Sequence, residues 1–228
     1  MHIGFHSLLI AFTMWWHNIG KGTDLDTVEI LALVGGIAWA SGINLYATVF
    51  VLGMLFRHDL VLLPASLSVL ADPMVLSAAG FMFFTEFIVD KIPGLDSIWD
   101  SIHTFIRIPA GAILAMSAVG GYDPAIEMAA FLIGGTLAAS THFTKASTRL
   151  MMQSSPEPIT NWTASLGEDI MVVLGIWTAL THPWIFITGL LIFIIIVILL
   201  LPRLIVLLKQ IYHFFKCSLT GTTLEQSK

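Results

Sequence analysis

The chain has 228 residues, a net charge of −5, 57% hydrophobic residues, only 11% charged residues and a mean hydropathy of +0.89. A soluble domain carries about a quarter charged residues, so this composition excludes one, and no basic run interleaved with aromatics points to nucleic acid. The long apolar runs lack the period-two alternation of a membrane barrel, which leaves an all-α, polytopic bundle with the lipid bilayer as its first partner.

Residues 3–19 are apolar apart from a stripe of His6, Thr13 and His17, with His2 just before them. Seventeen residues are marginal for a span, and Trp15 and Trp16 suit an interface, so a surface helix is expected. A polar linker follows over 20–27, and a first spanning helix is expected over 28–56. Residues 60–71, interrupted by Pro64, are too short to span and read as a re-entrant or interfacial piece. A second helix is expected over 74–92.

Residues 86–109 interrupt this apolar pattern with Glu86, Asp90, Lys91, Asp96, Asp100, His103 and Arg107. At helical periodicity Asp96, Asp100, His103 and Arg107 fall within about 60° of one another. The apolar piece 109–121 is too short to cross alone and must borrow length from 95–107, so the third span is expected to be broken between Pro93-Gly94 and Pro109. The fourth helix is expected over 125–150, the fifth over 163–181 and the sixth over 184–201, followed by a basic amphipathic tail over 202–228. This makes one transmembrane domain over 28–201 with six spans, in halves 28–122 and 125–201. Lys21, Lys91, Arg107, Lys145, Arg149, Arg203, Lys209, Lys216 and Lys228 then fall on one side and only Arg57 on the other, which sets both termini in the cytoplasm. Cys217 is the only cysteine, so neither an intramolecular disulfide nor a thiolate cluster is available.

A shift of 99 residues aligns 33–50 with 132–149, matching Leu33, Gly35, Gly36, Ala40, Ser41 and Ala47 to Leu132, Gly134, Gly135, Ala139, Ser140 and Ala146. With three spans per half, the second copy is inverted, an arrangement associated with secondary transporters.

The fourth helix places His142, Lys145 and Arg149 on one face, and the fifth opens with Glu168 and Asp169. Ser165 and Glu168 have the spacing of a helix-starting capping box. Ser41, Asn44 and Thr48 form a milder polar stripe, read as interhelical hydrogen bonding. Charges inside hydrocarbon cost about 2.5–3.5 kcal/mol each, so these groups either pair as staples or line a wet site. Asp96, Asp100 and His103, at i, i+4 and i+7, also offer two carboxylates and an imidazole to a divalent metal.

The strings SGINLYATVFVLGML and DKIPGLDSIWDSIHTFIRIPAGA, and SSPEP with a following Asn and a Glu-Asp pair, resemble a bacterial integral-membrane family catalogued as domain of unknown function 4126. The resemblance covers about 28–182 and implies a multi-pass membrane protein; it carries over no activity and no site residue. Three functions fit these residues: a carrier of a small solute or ion, with Glu86 or Asp90 as coupling carboxylate; a non-catalytic subunit of a larger membrane complex, or a homo-oligomer; and a metal-dependent enzyme acting on lipid head groups.

Overall fold

The computed structural model describes residues 25–92, 94–153 and 158–200, and every element among them is helical. The expected surface helix over 3–19 and the tail over 202–228 lie outside these residues. The chain divides into two compact units, the second beginning at Thr188.

Helix α1, Thr27–Ile43, starts with a capping box in which Asp26 accepts from the Thr27 N–H at 2.6 Å and Glu29 accepts from the Asp26 N–H at 2.9 Å. It is buried on almost every side from Ala32 to Ile43, as an all-round apolar helix must be when other helices surround it. Helix α2, Leu45–Arg57, follows after a single extended residue, Asn44. The expected unbroken helix over 28–56 is therefore two helices.

Arg57 at the end of α2 donates to the carbonyl of Ala71, the last residue of a short 3-10 helix, Ala65–Ala71. That element meets α3, Pro73–Val89, at 65°, a bend that fits a broken span as well as the expected re-entrant piece. Asp72 caps α3 and Pro73 occupies its first turn, where a missing N–H costs nothing.

Helix α4, Leu95–Ser117, runs for 23 residues with Pro109 inside it. The expected break in this span does not occur. Proline removes one ladder hydrogen bond, and the helix continues through it into Gly111, Ala112 and Ala115, which pack closely on α5. Helix α5, Pro124–Gln153, is the longest at 30 residues, and α6 runs Pro158–Thr181. Since α6 starts at Pro158, Ser165 and Glu168 lie inside it and the expected capping box there is not formed. Helix α7 is Pro183–Leu200.

Helices α1, α4 and α5 approach through small residues. A Cβ added at Gly42 would collide with the carbonyl oxygen of Ala138 and lie 2.7 Å from the Thr141 Cβ, and one added at Gly134 would collide with the Ala115 Cβ. Among the described residues three helical stretches are long and apolar enough to cross a bilayer, Pro124–Arg149, Trp162–Thr181 and Pro183–Leu200, and the bent pair ending in α3 makes a fourth if taken as one span. The described residues are thus all-helical, and their long apolar helices suggest a membrane protein.

Candidate functional site

Helix α4 presents its polar side inward. Asp96, Asp100, His103 and Arg107 are buried, whereas Leu95, Ile98, Ile102, Phe105 and Ile106 are exposed. A soluble protein would reverse these faces; a lipid surround favours this one.

Arg107, fully buried, is the first node of the site. Its Nη2 donates to Glu86 Oε1 at 2.6 Å and its Nη1 to Asp100 Oδ1 at 2.7 Å, tying α3 to α4. Lys145 on α5 is the second. Its Nζ lies 3.1 Å from Asp90, 3.4 Å from Glu86, 3.5 Å from Glu168 and 3.8 Å from Asp100. Arg149, one turn further, holds both carboxylate oxygens of Glu168 at 2.7 and 3.1 Å, and reaches the Asp90 carboxylate at 3.6 Å and its carbonyl at 3.3 Å. Charges on α4, α5, the end of α3 and α6 therefore form one shared network. Removing one partner from such a buried set costs about 3–5 kcal/mol, because the other charge stays behind in a low dielectric.

The α1–α2 break opens onto this network. Asn44 is extended, and its side-chain oxygen accepts from the Ala47 N–H at 2.9 Å, capping α2. Its amide nitrogen donates to Asp169 Oδ1 at 3.1 Å, and Lys145 Nζ donates to the Ile43 carbonyl at 3.2 Å. Irregular backbone inside a bundle must find such partners, and here they are groups of the charged site. Of the stripe expected as interhelical glue, Asn44 does bond another helix through Asp169, Thr48 Oγ1 donates instead to the Asn44 carbonyl at 2.8 Å, and the buried Ser41 hydroxyl makes no hydrogen bond among the described residues.

The two histidines part company. Arginine can only donate, so the 3.3 Å contact of Arg107 Nη1 with His142 Nδ1 makes that nitrogen an acceptor. The ring proton is then on Nε2, which donates to Thr104 Oγ1 at 2.7 Å, and Thr104 donates to the Asp100 carbonyl at 2.9 Å. His103 is turned away from the network. Its Nδ1 donates to the Trp99 carbonyl at 2.9 Å, its Nε2 meets the Tyr46 hydroxyl at 3.1 Å, and its ring stacks on Trp99 at 4.2 Å. Asp96 accepts from the Gly94 and Ser97 N–H groups at the start of α4. The divalent-metal triad expected from i, i+4, i+7 spacing is therefore not assembled: Asp96 serves the helix start, Asp100 serves Arg107, and His103 serves Trp99 and Tyr46. Among the described residues no three His, Cys, Asp or Glu side chains are grouped to hold a metal ion.

Two acidic oxygens at the centre, Glu86 Oε2 and Asp100 Oδ2, are buried without a hydrogen-bond partner, as is Asp169 Oδ2. Beside Asp100, between α4 and α5, lies a cavity of about 170 Å³ whose polar wall is Ser97, Asp100, Ser101, Thr104 and His142. Lys91 lies at the edge of the network, within electrostatic reach of Asp169, Asp90 and Arg149, and it donates to the Phe87 carbonyl at 2.9 Å with its ammonium over the Phe87 ring.

The charged residues and Asn44 are legible in the sequence, but two participants and the break at Asn44 are not. Tyr46 and Thr104 are ordinary helix residues until their distant partners are known. Asn44 left one signal: 29 residues is more than a single span needs, and an Asn three residues before Ala47 has N-cap spacing. No curated protein and no solved structure matches the chain. A family model does, over residues 31–203, and it contains the whole network and the α1–α2 break. The chain belongs to the family described as domain of unknown function DUF4126.

Proposed function

We propose that this protein is a multi-pass carrier of the bacterial inner membrane that moves a small solute or ion through the site between α1–α2, α3, α4, α5 and α6. The supporting observation is that Lys145 lies within 4 Å of carboxylate oxygens on four different residues, Glu86, Asp90, Asp100 and Glu168. A staple needs one partner. A cation shared among four can exchange partners over a small displacement, and the broken helix beside it supplies a backbone that can accompany the shift. Glu86, bridged by Arg107 and Lys145 and with one oxygen unpartnered, is the coupling carboxylate, with Asp90 beside it.

The reading takes six spans, α1 with α2, the 3-10 helix with α3, and α4 to α7, with both termini cytoplasmic. The two halves are inverted copies in this reading, supported by the aligned pairs Gly35-Gly36 and Gly134-Gly135. The copies have diverged: 33–50 is interrupted at Asn44, whereas 132–149 lies inside α5.

The test is flux. Purified protein in liposomes, with an entrapped pH dye and imposed H⁺, Na⁺ or K⁺ gradients, is expected to dissipate at least one gradient faster than empty liposomes. Glu86→Gln is expected to slow that flux at least about tenfold, about 1.4 kcal/mol in barrier terms. Wild-type flux no faster than in empty liposomes, or equal flux in Glu86→Gln, contradicts the carrier.

A second reading is a subunit of a membrane complex, favoured by the density of mutual ion pairs, which would fix helices rigidly. Purification that always brings other chains, with no flux by the isolated protein, supports it.

A further inference from the structure

We propose that Asp169 binds a proton and thereby sets the state of the α1–α2 break. The consequence for flux rests on the carrier reading; proton binding and the state of the break are measured without flux, so the two can fail separately.

Asp169 differs from the neighbouring acids in its partners. Glu86, Asp90, Asp100 and Glu168 each lie within 4 Å of a Lys or Arg nitrogen, and together they share Arg107, Lys145 and Arg149. Asp169 is only 9% exposed, and among the described residues no Lys or Arg nitrogen comes within 4 Å of it. One of its oxygens accepts from the neutral Asn44 amide at 3.1 Å, and the other, Oδ2, is buried without a partner. A buried carboxylate that has no cation to pair with is costly, and taking up a proton removes the charge.

The surroundings do not supply the missing counter-charge. Helices α1 and α2 pack on α6 but carry no charged residue from Ile30 to Phe56, and their titratable Tyr46 is engaged by His103. Glu86 and Asp90 on the α3 side repel a charge on Asp169, and Glu168 precedes it in the chain. Lys145 on α5 and Lys91 just past α3 attract it. Lys145 is already divided among four carboxylates, and Arg149 is committed to Glu168.

Loss of the proton has a defined consequence at the break. Asn44 tethers Asp169 beside the extended residue, and Lys145 Nζ donates to the Ile43 carbonyl just before it. When the Asp169 proton passes to water, the carboxylate left behind becomes a further claimant on Lys145 and draws its ammonium off that carbonyl. The end of α1 then loses a buried hydrogen bond, and the break loosens.

The experiment records infrared spectra of the purified full-length protein in detergent at about pH 7, where ordinary carboxyl groups are ionised. A carbonyl stretch from a protonated carboxyl group is expected in wild type and in Glu86→Gln, and its loss is expected in Asp169→Asn. Raising the pH until the stretch disappears should speed amide hydrogen exchange across residues 40–48 several-fold beyond its intrinsic pH dependence. In Asp169→Asn, which keeps a neutral side chain of the same shape, exchange there should follow the intrinsic dependence alone. No such stretch in wild type, a stretch that survives in Asp169→Asn, or exchange equally pH-sensitive in both proteins overturns the proposal. Should Asp169→Asn fail to fold, Asp169→Glu decides, and a stretch at unchanged frequency overturns it.

Discussion

Two helical stretches carry a residue that disfavours continuous helix, and they respond in opposite ways. Pro109 in α4 lacks an N–H, yet the helix runs through it from Leu95 to Ser117. Asn44 has every backbone group helix needs, yet it adopts an extended conformation and divides α1 from α2. The difference lies in what replaces the lost ladder bonds. At Asn44 the side chain caps Ala47, Lys145 takes the Ile43 carbonyl and Asp169 holds the side-chain amide. The structure around Pro109 offers close small-residue packing on α5, which rewards a straight continuation. A break inside a bundle is therefore set by tertiary partners more than by local propensity.

That contrast can be broken or sharpened by substitution. The largest effect is expected from Arg107→Met, which leaves Glu86 and Asp100 without their shortest ion pairs. It should destabilise the protein by about 3–5 kcal/mol, read as a fall in Tm in detergent or loss of monodisperse protein. Gly42→Ala tests the close approach of α1 to α5 just before the break. Its methyl group meets the Ala138 backbone, so a loss of about 1–3 kcal/mol is expected, and a neutral result means the helices can part freely.

Asn44→Ala removes the cap of α2 and the hydrogen bond to Asp169, for a loss of about 0.5–2 kcal/mol in unfolding measurements. In the carrier reading it should also slow flux, whereas an equally active Asn44→Ala would mean the break is incidental. Pro109→Ala should have the smallest effect. It restores one ladder bond in a helix that is already continuous, so stability should rise or stay level and flux should remain within about twofold. A large loss of flux would make Pro109 the hinge after all.

Much of the site could be read from residue type alone. Charges are rare in this chain, so each one between 86 and 107 is informative, and helical spacing places Asp100 with Arg107 on one helix face and Lys145 with Arg149 on another. Spacing could not tell which members of a stripe share a partner. Asp96 and His103 lie on the same face as Asp100, yet one accepts from N–H groups at the start of its own helix and the other stacks on Trp99. The sequence leads one to expect the fifth helix from 163, whereas α6 starts at Pro158, an ordinary helix opener that follows a loop-like run of serine and proline. A broken third span is expected because 109–121 is short, while the break at Asn44 stays hidden because the groups that stabilise it lie 100 residues or more away on α5 and α6.

Paired neutralisation tests the central claim most directly. Glu86→Gln with Lys145→Gln removes one charge of each sign from the shared network and keeps polar, similarly sized side chains. If the network is a working site, this double variant should unfold within a few degrees of wild type, since balanced removal of a buried pair is about neutral in stability, while its flux in liposomes falls at least about tenfold. A double variant as stable and as active as wild type would contradict the account and leave the network as a structural staple.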